Sequence, residues 1–145
     1  MTTAPARLVL RRAGPADRVD CARLYLAGRR AAFHWLPPES FRLADYTDSV
    51  RGEVVWVATQ RGAVVGFASV FEPASFVHNL FVESRWQGRG IGTRLLERAL
   101  RRLPRPVRLK CVAANAPACA FYERRGWTED GRGDGDMGPY ILYRK

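Results

Sequence analysis

The six residues Gln87-Gly88-Arg89-Gly90-Ile91-Gly92 constrain this chain more than any other stretch. They stand between an apolar run that reads as a strand, Phe76 to Val82, and a helical pattern. That pattern carries Ile91, Leu95, Leu96, Ala99, Leu100 and Leu103 on one face. Three glycines in six residues let the backbone turn tightly and bring its N–H groups close to a ligand. Those groups meet the positive end of the helix, so phosphate is the expected guest.

The remaining periodicity sorts into alternating elements, with no repeat and no low-complexity tract. Leu8 to Leu10 reads as a first strand, and Pro15 opens a helix through about Ala32. Pro37 and Pro38 break that helix, and a shorter one is expected over residues 39–50. Val54 to Thr59 and Ala63 to Phe71 read as strands around Gln60-Arg61-Gly62, a hairpin signal. Pro104 stops the helix opened at Gly90, and Val107 to Val112 is a strand. Asn115 is a good N-cap for a further helix, with Pro117 in its first turn and Gly126 past its end. Two closing strands, near 127–130 and 140–143, flank a Gly/Asp-rich loop over 131–138. The order βααβββαβαββ is a mixed α/β domain spanning residues 1–145.

Composition excludes several classes. A chain of 145 residues has one domain as its default, and its 47% apolar content is globular rather than disordered. No apolar run approaches the ~18 residues of a membrane span, so no membrane partner is expected. The start, MTTAPARLVLRR, has no signal-peptide core. Cys21, Cys111 and Cys119 are an odd, widely spaced set, which argues against a secreted disulfide scaffold. His34 and His78 give no zinc spacing, so no metal is expected and the cytoplasm is the expected compartment. The 24 basic against 14 acidic residues, a net charge of +10, point to a polyanion: nucleic acid or a phosphorylated small molecule. The arginines are scattered rather than gathered in a stripe, which disfavours nucleic acid.

The loop does not suit two common phosphate binders. A P-loop needs Gly-Lys-Ser/Thr, and Gly92-Thr93 lacks the lysine. A dinucleotide fingerprint needs GxGxxG and a later acid, whereas here the spacing is GxGxG. Gln87 to Gly92, after a strand reading Leu80-Phe81-Val82, instead resembles the coenzyme A loop of the GNAT N-acetyltransferase superfamily. The chain resembles that family again at Asn115-x-x-Ala118-x-x-Phe121-Tyr122-Glu123-x-x-Gly126-Trp127. The resemblance covers about Arg7 to Tyr143. It implies a central twisted mixed sheet of about six or seven strands, flanked by about four helices, with strands splayed around the coenzyme A site.

The resemblance also implies acetyl-CoA as donor, a primary amine (small molecule or peptide end) as acceptor, and direct attack in a ternary complex. Pantetheine is expected along Leu80, Phe81 and Val82. The pyrophosphate is expected on Gln87, Gly88, Arg89, Gly90, Ile91, Gly92 and Thr93, with Asn115, Ala118 and Tyr122 beside the cofactor. Arg85, Arg94 and the Arg124-Arg125 pair are candidate phosphate neighbours or solvated surface groups. An alkyl amine has a pKa near ~10, so a base must take its proton. His78 is the first candidate, and Glu72 in the preceding turn is the reserve, acting directly or through water. Strand alternation places His78 on the face of Leu80 and Val82, which also suits a structural histidine, and turns Asn79 the other way toward substrate. Tyr122 is expected to supply the departing sulfur with a proton or a hydrogen bond. An acyl intermediate on Cys111 is disfavoured, because that position reads as core. The acceptor pocket is expected from Phe33, His34, Trp35, Asp45, Tyr46 and Tyr140, with Glu39 a further acid. A coenzyme A-binding sensor or scaffold without turnover is the competing reading. Homodimers are common in the family, but no exposed apolar stripe here demands one.

Overall fold

The computed structural model describes residues 7–145. Apolar alternation and a tight turn build its centre. Val54–Gln60 (β2) and Ala63–Phe71 (β3) pair antiparallel, joined by Arg61 and Gly62 with φ of 52° and 80°. Two successive positive φ values match the right-handed twist of a hairpin, and glycine makes the second free of strain. β3 is buried along both faces, so it is the middle of the sheet rather than an edge. Leu8–Arg12 (β1) flanks β2, and Phe76–Val82 (β4) flanks β3, both antiparallel.

The chain then crosses through Ile91–Leu100 (α3) to Arg108–Val112 (β5), which lies parallel to β4. Ala116–Arg124 (α4) leads to Thr128–Gly135 (β6) and Gly138–Arg144 (β7). The seven strands run in the order β1-β2-β3-β4-β5-β7-β6, and only β4–β5 is parallel. Arg18–Ala32 (α1) and the short Asp45–Ser49 (α2) cover one face, packing Tyr25 and Tyr46 against Val57 and Phe67. On the other face, α3 and α4 bury Leu95, Leu96 and Cys119 against Val65, Val77 and Leu109. The mixed sheet with four α-helices is the expected architecture, in the expected order.

Three expectations about elements are corrected. Residues 39–50 do not form one helix: a 3-10 turn at Pro38–Ser40 is followed by extended Phe41, and α2 begins only at Asp45. Phe41 is fully buried, and that anchoring breaks the helix. Residues 131–138 are not a loop, because β6 and β7 extend until only Asp136 and Met137 separate them. Gly131, Gly133 and Gly135 pair with Leu142, Tyr140 and Gly138, and a Cβ at Gly133 would overlap the Tyr140 ring. The glycines there admit an aromatic side chain rather than loosen the chain. In β4, alternation is broken at His78 by a register shift.

Two features generate stability predictions. A Cβ at Gly28, inside α1, would overlap the ring of Phe81 on β4, so helix and sheet approach closely there. Gly28→Ala is expected to destabilise by about 1–3 kcal/mol through overpacking, read from the denaturant midpoint. Asp17 is buried beneath β1, takes two hydrogen bonds from Arg11 at 2.7 and 2.9 Å, and accepts from the Gly14 N–H at 2.7 Å. The Arg11 guanidinium holds the Asp17 carboxyl below its usual range, against burial, which raises it. A depressed folded-state pKa stabilises above the unfolded value of ~3.9 and is lost as pH falls through the folded one. Asp17→Asn is therefore expected to lower the thermal midpoint at pH 7 and to narrow its gap from the parent in strong acid; an equal gap at both pH values would refute this.

Candidate active site

The ladder between β4 and β5 holds only two pairs, Phe76 with Arg108 and Val77 with Leu109. Beyond them β4 continues to Val82 on β3, and β5 continues to Val112 on β7, but the two strands no longer pair. One edge of β4, through Leu80, Phe81 and Val82, is therefore left without a strand partner and open to another hydrogen-bonding chain. The side chains of Leu80 and Val82 pack on the α3–α4 side, and Phe81 stacks on Phe67 on the α1–α2 side.

The separation starts at a β-bulge. Ser69 pairs with Asn79 and Val70 with Val77, so His78 is the extra residue on β4. A bulge re-aims the side chain it carries. His78 therefore does not share the face of Leu80 and Val82, and Asn79 does not turn away from it: both reach Ser49 at the end of α2. Asn79 is buried and donates to the hydroxyls of Ser49 and Ser69 at 3.0 and 2.8 Å. The His78 Nδ1 lies 2.9 Å from the Ser49 carbonyl and 2.9 Å from Glu53 Oε2. The Glu53 carboxylate raises the His78 pKa above the ordinary histidine value, while partial burial and the Lys110 charge pull it down. Glu53 was not singled out from the sequence; a glutamate just ahead of the apolar run of β2 was its only signal.

Past β4, the glycine loop is pinned at its start. Gln87 Nε2 donates to the carbonyl of Val82 at 3.0 Å. Gly88 and Gly90 take φ of 76° and 80°, conformations that other residues rarely adopt. Gly90 is the N-cap of α3 and offers no side chain, so the N–H groups of Ile91, Gly92 and Thr93 have no side-chain cap. Arg89 lies 4.8 Å over the Trp86 ring, Arg85 pairs with Glu83 at 2.8 Å, and Arg125 donates to Thr93 Oγ1 at 2.6 Å. Gly92 sits against Phe121, joining the loop to α4.

Asn115 caps α4 as expected, accepting from the Ala118 N–H at 3.4 Å. One helical turn on, the ring of Tyr122 packs among Phe121, Trp127 and Tyr143. Its hydroxyl makes no hydrogen bond among the described residues. Burial pushes the Tyr122 hydroxyl well above the usual phenol value, reinforced by Cys111 and Cys119. Those two thiols lie 3.5 Å apart between β5 and α4, both buried and unbridged. Burial and the Cys119 neighbour also push the Cys111 thiol up.

Of the residues expected at the acceptor pocket, Phe33, His34, Trp35, Asp45 and Tyr46 are linked around Arg29 and Phe41, whereas Tyr140 lies on β7. His34 and Trp35 stack edge-to-face in the turn after α1, with Phe33 alongside. Asp45 is engaged by Arg29 at 3.1 Å and by the Arg42 N–H at 2.9 Å. Tyr46 is buried against Tyr25 and Phe67. Tyr140 stands on β7 with Lys110 4.8 Å from its ring centroid. Glu72 is exposed in the β3–β4 turn, beyond the end where β4 and β5 pair. Among the described residues no helix is long and apolar enough to cross a membrane, and no His/Cys/Asp/Glu group could hold a metal ion.

No curated protein matches the chain. Solved structures do. A GCN5-related N-acetyltransferase from Rhodopseudomonas palustris is 20% identical, with a TM-score of 0.79 over 100% of this chain and 99% of that one. NAA60 from Arabidopsis thaliana, in complex with a bisubstrate analogue, is 19% identical, with a TM-score of 0.69 over 96% and 97%. An acetyltransferase from Bacillus anthracis, in complex with acetyl coenzyme A, is 20% identical, with a TM-score of 0.57 over 65% of this chain and 62% of that one. The family model for the acetyltransferase (GNAT) family matches residues 19–127, which include β4, the glycine loop, α3 and α4. With splayed strands, an uncapped helix start and three-quarters of its length inside that match, the chain belongs to the GNAT family of acetyltransferases, whose acyl donor is acetyl-CoA.

Proposed function

We propose that this chain, as a single acetyltransferase domain over residues 1–145, transfers the acetyl group of acetyl-CoA to a primary amine, on a small molecule or a peptide end. The observation that carries this reading is the opening between β4 and β5, with His78 at its start and Tyr122 against Cys111 of β5. The donor fits the chain: the uncapped N–H groups of α3 suit a pyrophosphate, and the unpaired edge of β4 suits the amide-bearing pantetheine arm. The bisubstrate complex of the plant relative supports a site that holds donor and acceptor together. Three unbridged, buried cysteines support a reducing cytoplasmic setting.

Bound acetyl-CoA supplies an electrophilic thioester carbonyl. The amine nitrogen forms the new C–N bond, the C–S bond breaks, and the nitrogen's proton passes to His78. The imidazole qualifies because Nδ1 faces two acceptors, which leaves Nε2 as the nitrogen with a lone pair. Tyr122 meets the departing sulfur with a hydroxyl kept protonated by its burial. A cysteine route is not supported, since the raised pKa of Cys111 keeps that thiol protonated and poorly nucleophilic.

The test is initial-rate kinetics on an amine panel with thiol release as readout. Intersecting double-reciprocal lines are expected, and parallel lines would replace the ternary complex with an acyl-enzyme. Acetyl-CoA binding without turnover on any amine would favour a sensor module. Tyr122→Phe should lower kcat by ~10²–10³ while leaving the acetyl-CoA Kd within a few-fold; unchanged kcat removes Tyr122 from the mechanism. With wild type, kcat/KM should fall as pH drops below the raised His78 pKa, because a protonated imidazole accepts no proton. His78→Gln should abolish that acid limb, and a persistent limb would pass the role to Glu72 or water.

A further inference from the structure

We propose that Glu53 is the positioning residue for His78, holding its proton on Nδ1 so that Nε2 stands ready as the acceptor. The inference rests on the reading of His78 as base, and adds a residue that no motif contains.

The geometry settles the tautomer. The Ser49 carbonyl, 2.9 Å from Nδ1, can only accept, and Glu53 Oε2 at 2.9 Å accepts when ionised. Nδ1 therefore keeps a proton whether the ring is neutral or charged, and deprotonation takes place at Nε2. The Glu53 side chain is 8% exposed whereas that of His78 is 43% exposed, so the acid lies behind the ring and the ring lies toward solvent. Glu53 Oε1 is buried with no hydrogen-bond partner. A buried carboxylate left with one partner directs its stabilisation to that partner, and here it favours the imidazolium that forms when the amine is deprotonated.

The other groups around the ring do not substitute for this acid. α2 offers the neutral Ser49 carbonyl, β3 offers the Ser69 hydroxyl to Asn79, and β5 offers Lys110, whose charge works in the opposite direction. Glu53 is thus the one carboxylate paired with His78 among the described residues. The bulge accommodates the pair: Val77 and Leu80 both lie on the α3–α4 side, and the extra residue lets His78 and Asn79 both face α2, with Glu53 beside the ring.

The chain has only His34 and His78, so imidazole nitrogen signals in the whole protein are assignable with one His34→Gln control. In wild type the neutral His78 should be the Nδ1–H tautomer. Glu53→Gln keeps the volume and removes the charge. It should lower the His78 titration midpoint, move the acid limb of kcat/KM by the same amount, and reduce kcat at least about tenfold with the acetyl-CoA KM unchanged. Glu53→Asp, which withdraws the charge by one methylene, should restore part of both readouts and serves if the glutamine variant does not fold. An unmoved His78 titration in either variant overturns the proposal. A moved titration with an unmoved acid limb supports the Glu53–His78 coupling and overturns the base assignment alone, so the two failures are told apart.

Discussion

Two residues of parallel ladder, Phe76 and Val77 on Arg108 and Leu109, hold β4 to β5, and the backbone beyond them is free on one edge. Unpaired N–H and C=O groups inside a sheet are unfavourable unless something else meets them. The rest of the molecule keeps this gap from closing. β4 is fastened along its length to β3, and β5 to β7, so the two halves of the sheet are each complete. α3 and α4 then pack on the same face, with Gly92 against Phe121 where the helices meet. The opening is thus a consequence of where pairing is satisfied, and it needs no flexible segment to form.

The bulge at His78 belongs to the same constraint. Inserting a residue where β4 leaves β5 re-aims one side chain without disturbing the strand on either side. Val77 and Leu80 stay on the α3–α4 side, Phe81 stays on Phe67, and the two residues between, His78 and Asn79, both reach the end of α2. Asn79, tied to Ser49 and Ser69, fixes the strand beside it, so the bulged residue is held on a rigid support. On the proposed reading, this puts the base at the point where the donor's path between the strands begins.

Features fixed by near neighbours are legible in the sequence. The bounds of β4, the glycine loop, the Asn115 cap and the amphipathic α3 all follow from residues within a turn or two of each other. What depends on distant partners is not. The Gly/Asp run of β6 looks like a loop because its partner is β7, whose Tyr140 needs the space that Gly133 leaves. Phe41 divides the expected second helix because it is anchored in the core, a fact that periodicity does not carry. The facing of His78 failed for one residue of register, and with it the Glu53 contact was invisible, although 25 positions separate the two residues in a chain whose motifs were otherwise clear. Asp45 and Tyr46 read as pocket candidates by type; their partners Arg29 and Phe67 lie too far along the chain for any local pattern to show.

On the proposed mechanism His78 and Tyr122 handle the protons, and the structure shifts both pKa values upward by different causes. A carboxylate raises the His78 pKa, which brings the imidazole closer to an alkyl amine of pKa ~10 and so strengthens it as a base, at the expense of the fraction deprotonated at neutral pH. Burial raises the Tyr122 pKa, which takes the hydroxyl further from a thiol of pKa ~8.5. Full transfer of the tyrosyl proton to the thiolate is then uphill, whereas a hydrogen bond to the sulfur as charge develops is not. In the proposed mechanism Tyr122 would then stabilise the leaving group without surrendering its proton, and His78, having gained one from the amine, would be the stronger source of the proton that leaves with the thiol. Glu53 favours the charged state of His78, and the apolar rings around Tyr122 favour the neutral state of the phenol. The division of labour follows from the two environments rather than from the two residue types.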